Sequence, residues 1–218
     1  MKHPTSRLLH SYWDRLRGER AAPERAEIEP GEIRNLLADS LILELDMPGR
    51  LAHLRLAGTR VCALFGRELK GDSLPGLWGP GSADPWRLIE IVASDTVGVV
   101  AGLQGRTAQH ETIELELILL PLRHRGRTQA RILGALSPTV VPHWLGLRPV
   151  TGLATTSLRV LNGREAAAEP VFARAADEPV FVRAADGAEA ILGALPAPAN
   201  DSVPLRRGHL LVHRGGRI

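Results

Sequence analysis

The sequence predicts an α+β fold: an antiparallel sheet with helices on one face. Three observations predict it. Leu41, Leu43 and Leu45 alternate with other residues, and a second alternating run carries Leu54 and Leu56 after the turn Met47-Pro48-Gly49. Ile113, Leu115 and Leu117 alternate against Glu114 and Glu116, and a returning run follows the turn at 124–127. Period-two alternation about tight turns is the mark of paired strands. The chain between these pairs carries apolar residues at helical spacing and loops rich in Gly and Pro.

The elements follow in order. Leu8, Leu9, Tyr12, Trp13 and Leu16 share one face of a first helix, with Thr5 or Ser6 to cap its start and Gly18 to end it. Glu29-Pro30-Gly31-Glu32 opens a second short helix carrying Ile33, Leu36 and Leu37. The first hairpin spans Ser40–Asp46 and Leu51–Ala57. Thr59 can cap a helix bearing Val61, Leu64 and Phe65, which Gly66 ends. A loop over 71–84 precedes a helix with Asp84 as cap and Pro85 at its first position; Trp86, Ile89, Val92 and Ala93 form its buried face. Strands follow over 99–107, 111–122 and 128–136. The second becomes continuously apolar, as expected where both faces of a strand are covered. Residues 153–161 add a further strand or helix.

Composition narrows the function classes. The chain has 218 residues, 44% of them hydrophobic, enough for a real core. No apolar run reaches the roughly 18 residues that cross a bilayer, and residues 1–15 lack a signal peptide's apolar stretch. A single cysteine, Cys62, excludes an intrachain disulfide and a cysteine-rich zinc site. The reading is a soluble cytoplasmic protein. The pI of about 9.7 reflects arginine usage, since the net charge is only +3. The basic spots at 123–127 and near the C-terminus have no aromatic residue beside them, so nucleic-acid binding is not expected. A membrane partner is not expected either.

After Asn162 the composition shifts to Ala, Pro, Glu and Arg. Residues 169–177 (EPVFARAAD) recur at once as 178–186 (EPVFVRAAD). Two copies of nine residues are too short for a solenoid. The repeat reads as a local duplication in a low-complexity, disordered tail. The alternative is a repeated linear motif whose Val-Phe pairs grip a partner.

The run from Arg55 to Gly71, RLAGTRVCALFGRELKG, resembles a bacterial subfamily of PAS domains. So do Tyr12-Trp13 with Leu16-Arg17-Gly18, and Leu119-Leu120-Pro121-Leu122 with Leu133-Gly134-Ala135-Leu136. The resemblance covers Arg7 to Leu161. It implies a PAS fold, a five-stranded antiparallel sheet with helices between the second and third strands. The division expected is 1–38 as an N-terminal helical segment, 39–161 as the PAS domain and 162–218 as the tail. The resemblance implies signalling, by a ligand, light or redox pocket or by dimerisation.

The expected function is therefore a non-enzymatic regulatory protein acting through dimerisation and protein–protein contacts. A small-molecule sensor is the alternative; an enzyme or flavin photosensor ranks below both. No nucleophile elbow, phosphate-binding loop or dinucleotide fingerprint occurs. Candidate pocket residues are Arg60, Cys62, Leu64, Phe65, Trp78, Trp86 and Ile89. Arg60 can hold an anion near its helix start, or Arg60 or Arg67 can pair with Glu68 at the surface. Trp78 and Trp86 can line a pocket, or simply pack. Cys62 lacks the polar surroundings of flavin-reactive PAS cysteines and reads as an inert thiol. No histidine falls on the two central helices, which disfavours haem. His209 and His213 lack a third metal ligand. No cofactor and no metal are expected. Leu9, Tyr12, Trp13 and Leu16 are the candidate homodimer face, and an unknown signalling protein is the expected further partner.

Overall fold

In a computed structural model, residues 1–161, 205–207 and 210–212 are described. The first helix, α1, runs Pro4–Arg17. The first hairpin pairs β1 (Ser40–Asp46) with β2 (Leu51–Ala57). Then come α2 (Thr59–Phe65) and α3 (Trp86–Asp95). Four strands follow: β3 (Gly98–Thr107), β4 (Thr112–His124), β5 (Arg127–Pro138) and β6 (Val150–Leu161). They form one antiparallel sheet in the order β2-β1-β5-β4-β3-β6.

The sheet thus has six strands where five were expected. The chain over 150–161 turns back along β3 and is a strand throughout. The sequence left 153–161 open between strand and helix; pairing with β3 makes it a strand and extends it back to Val150.

Helices cover both faces, not one. On the inner face α2 and α3 bury Leu64, Phe65, Trp86, Ile89 and Val92 against Leu41, Leu43, Leu117 and Leu119. On the outer face α1 buries Leu9, Tyr12 and Trp13 against Ile42, Ile118, Leu120, Leu122 and Leu133. The N-terminal segment belongs to the same compact unit as the sheet. The continuous apolar run Ile118-Leu119-Leu120 has this cause: alternate residues face opposite layers, and both layers are dry.

Local differences have local reasons. α1 is capped by His3, whose Nδ1 accepts the Thr5 amide at 3.2 Å, and not by Thr5 or Ser6, which lie within the first turn and are buried. Residues 30–39 form successive turns in place of a second helix, although Ile33 and Leu36 are buried as expected. α2 is capped by Gly58, not Thr59. A Cβ there would lie 2.1 Å from the Leu37 carbonyl oxygen, so only glycine fits. The free amides of Arg60 and Val61 donate instead to the Ala38 carbonyl. α3 starts one residue later than expected, with Pro85 at its N-cap, and Asp84 Oδ1 just before it accepts the Trp86 amide at 2.9 Å.

The tail expected over 162–218, with its duplicated segment, lies outside the described residues. Within it only a short antiparallel pair is described, β7 (Leu205–Arg207) with β8 (Leu210–Val212).

Candidate functional site

The inner layer is where the sequence placed a pocket. Val61, Leu64 and Phe65 from α2 and Trp86, Ile89 and Val92 from α3 all face the sheet. Leu64 and Ile89 are fully buried, as are Leu43 and Leu119 beneath them. Side chains fill this layer. Trp78 sits at its margin and donates from Nε1 to the Thr155 hydroxyl at 3.0 Å. Trp86 is covered outside by the Arg50 guanidinium, 5.3 Å from its ring centre.

Leu64, Phe65, Trp86 and Ile89 therefore come together as one core cluster, with Cys62 and Trp78 half-buried at its rim. The Cys62 thiol lies 3.7 Å from Glu68 Oε1 and 3.8 Å from the Ala57 carbonyl. Arg60 points away from the core. It donates to Asp39 Oδ2 at 2.6 Å. Arg67 pairs with Asp72. Neither arginine takes Glu68, whose Oε1 accepts the amides of Leu69 and Lys70 instead.

The α1 face is covered by the chain's own sheet. Trp13 donates from Nε1 to the Pro121 carbonyl at 2.8 Å, and the Tyr12 hydroxyl accepts the Glu29 amide at 2.8 Å. Leu16 packs at the edge of this layer. A dimer using these residues would have to lift α1 off the sheet.

Sequence reading missed a buried polar seam between α1 and the sheet. Asp39 is 2% exposed. Its Oδ2 accepts from Arg60 and, at 3.5 Å, from the Thr5 hydroxyl, and its carbonyl accepts the Leu136 amide. It ties α1, α2 and β5 together. Glu116 sits opposite Ser137 across β4 and β5 and accepts the amides of Lys2 and His3 at 2.8 and 3.0 Å. Burial works to raise the Glu116 carboxyl, but those two amides and the nearby amino terminus help to hold it below the usual value. The alternation of β4 set Glu116 beside Glu114 on the polar side of the strand, yet Glu114 is exposed and Glu116 is buried.

A six-stranded antiparallel sheet with α2 and α3 between its second and third strands is an arrangement of the PAS type. The PAS-domain family model matches residues 1–137, and the chain belongs to that family. The match takes in the N-terminal segment that the sequence set apart. No curated protein matches the chain. Among solved structures it is similar to a light-oxygen-voltage domain studied with a flavin analogue, at 14% identity over 50% of this chain and 83% of that one, TM-score 0.42. It is similar to the light state of the Aureochrome1 light-oxygen-voltage photoreceptor, at 17% over 53% and 90%, TM-score 0.38. It is also similar to a light-oxygen-voltage protein of Rhodobacter sphaeroides, at 14% over 53% and 71%, TM-score 0.40. Nothing about flavin or light passes to this chain at such scores.

Proposed function

We propose that the chain is a non-enzymatic regulatory PAS protein whose output is contact with other proteins, a second copy of itself included. The observation that supports this reading most is the filled inner layer. Leu43, Leu64, Ile89 and Leu119 occupy the space in which a PAS ligand would sit. Close-packed apolar side chains leave no room for a cofactor without repacking. Homodimerisation is part of the proposal, through a surface that leaves α1 in place. Trp13 and Leu9 are core residues in this reading, and Cys62 is an inert thiol.

Native mass spectrometry of the full chain purified from its own source tests this, with spectra taken before and after denaturation. The expected masses are those of the chain, a multiple of it, or the chain with a partner protein. A stoichiometric small molecule released on denaturation would overturn the reading in favour of a ligand sensor.

A further inference from the structure

The outer face of the sheet is only partly covered by α1. Beyond the start of that helix a recess of about 750 Å³ opens over β3, β4 and β6. That volume is in the range of small-molecule sites.

Its floor has a built origin. Gly102 lies in the middle of β3, where a Cβ would meet the Ser157 hydroxyl at 2.5 Å and the Thr156 hydroxyl at 3.0 Å. The register slips there: Gly102 faces Ser157 and Leu103 faces Thr155, leaving Thr156 as an extra residue. A strand glycine beside a bulge commonly marks a place where a ligand or another chain approaches the backbone. The bulge turns both hydroxyls of 156–157 into the recess. Glu116 closes the α1 side, holding the amides of Lys2 and His3 in the wall.

Lys2 and the amino terminus line the recess on its Glu116 side; among the other strand residues, Arg159 and Glu114 carry opposite charges and stand at opposite ends. Arg159 on β6 pairs in register with Val100, and Glu114 on β4 with Gln104. Both line the recess, and neither side chain has an ion-pair partner among the described residues. Two strand spacings and four residues of rise set their Cα atoms roughly 16 Å apart. Extended arginine and glutamate side chains can together span most of that separation, which leaves room for one amino acid between their charged ends.

We propose that this recess binds a free α-amino acid, its carboxylate on Arg159 and its ammonium on Glu114, over the floor at Gly102. The hydroxyls of Thr156 and Ser157 and the amide of Gln104 lie between the two charges. The site lies on the opposite side of the sheet from the filled inner layer, so it stands or falls apart from the reading above.

The test titrates the full chain with each of the twenty standard L-amino acids by calorimetry. At least one is expected to bind and to raise the melting temperature. Its amide and its N-acetyl derivative, each lacking one charge, are expected to bind at least tenfold more weakly. Arg159→Gln and Glu114→Gln are expected to do the same while melting near the wild-type temperature without ligand, since both residues are exposed. The proposal is overturned if no amino acid binds at 10 mM, about a hundredfold above a site of modest affinity. It is equally overturned if the derivatives bind as well as the parent, or if both variants bind like wild type.

Discussion

Asp39 links three elements through one carboxylate, and its other oxygen, Oδ1, has no partner among the described residues. Removing its cation leaves a buried charge uncompensated. Arg60 is 39% exposed on its side chain, so solvent tempers the loss. Arg60→Gln is expected to cost about 1–2 kcal/mol in urea unfolding. An unchanged midpoint would mean that the pair is a bystander. Trp13→Phe keeps most of the ring volume but leaves the Pro121 carbonyl unpaired, and should cost about 1–3 kcal/mol. Two buried groups give stability a pH dependence. Burial lowers the His10 imidazole from its ordinary 6.5, against the pull of Asp14, so the folded state resists protonation. Glu116 is held below its ordinary 4.5. Both values are depressed in the folded chain. Both therefore contribute stability above the unfolded value, and that stability is lost as pH falls through the folded one. Unfolding free energy should decline in two steps, one beginning near pH 6.5 and one near 4.5. His10→Gln should flatten only the first, and Glu116→Gln should reduce the second. Glu44, lowered mainly by its bond to Arg131, adds to that second step.

At the scale of elements, α1 is a structural layer. Without it Ile118, Leu120, Leu122 and Leu133 would face water on the outer side of the sheet. A chain lacking residues 1–18 should bind a hydrophobic dye and lose its near-ultraviolet circular dichroism, as loosely packed states do. A truncated chain that keeps a sharp melting transition would show that α1 is dispensable. The approach of α2 to the turn before β1 is equally tight, and Gly58→Ala should cost about 3 kcal/mol, because the atoms in its way are backbone. The strands were legible in the sequence because alternation and turns act locally: β1 and β2 fall on the expected residues, and β3, β4 and β5 within two of them. Boundaries set by partners were not. β6 reaches back to Val150 only because β3 is there to pair with it, and the His3 cap arises from a rotamer that no pattern announces. The side of the sheet that α1 covers depends on the path of residues 18–39, where the helical spacing of Ile33, Leu36 and Leu37 is met by successive turns.

The unit described over residues 1–161 is a sheet held between two apolar layers. The core residues read from periodicity, Leu64, Phe65, Trp86 and Ile89 among them, are core residues in the fold. Their grouping was legible. Whether they line a space or fill it was not, because the same apolar residues serve either end and only their volumes against the sheet decide. Asp39 and Glu116 organise the outer layer through backbone amides and a distant arginine, contacts that leave no mark in spacing. The central claim is that the inner layer between α2, α3 and the sheet is closed by the chain's own side chains. Xenon reports this directly, since it enters dry cavities of about 150 Å³ and leaves packed cores alone. Methyl spectra of the wild-type chain under xenon pressure should show no shifts at Leu43, Leu64, Ile89 or Leu119, whereas Leu64→Ala, which opens a cavity there, should show them. Saturable shifts at those methyls in the wild-type chain would contradict the claim and mark the inner layer as a ligand pocket.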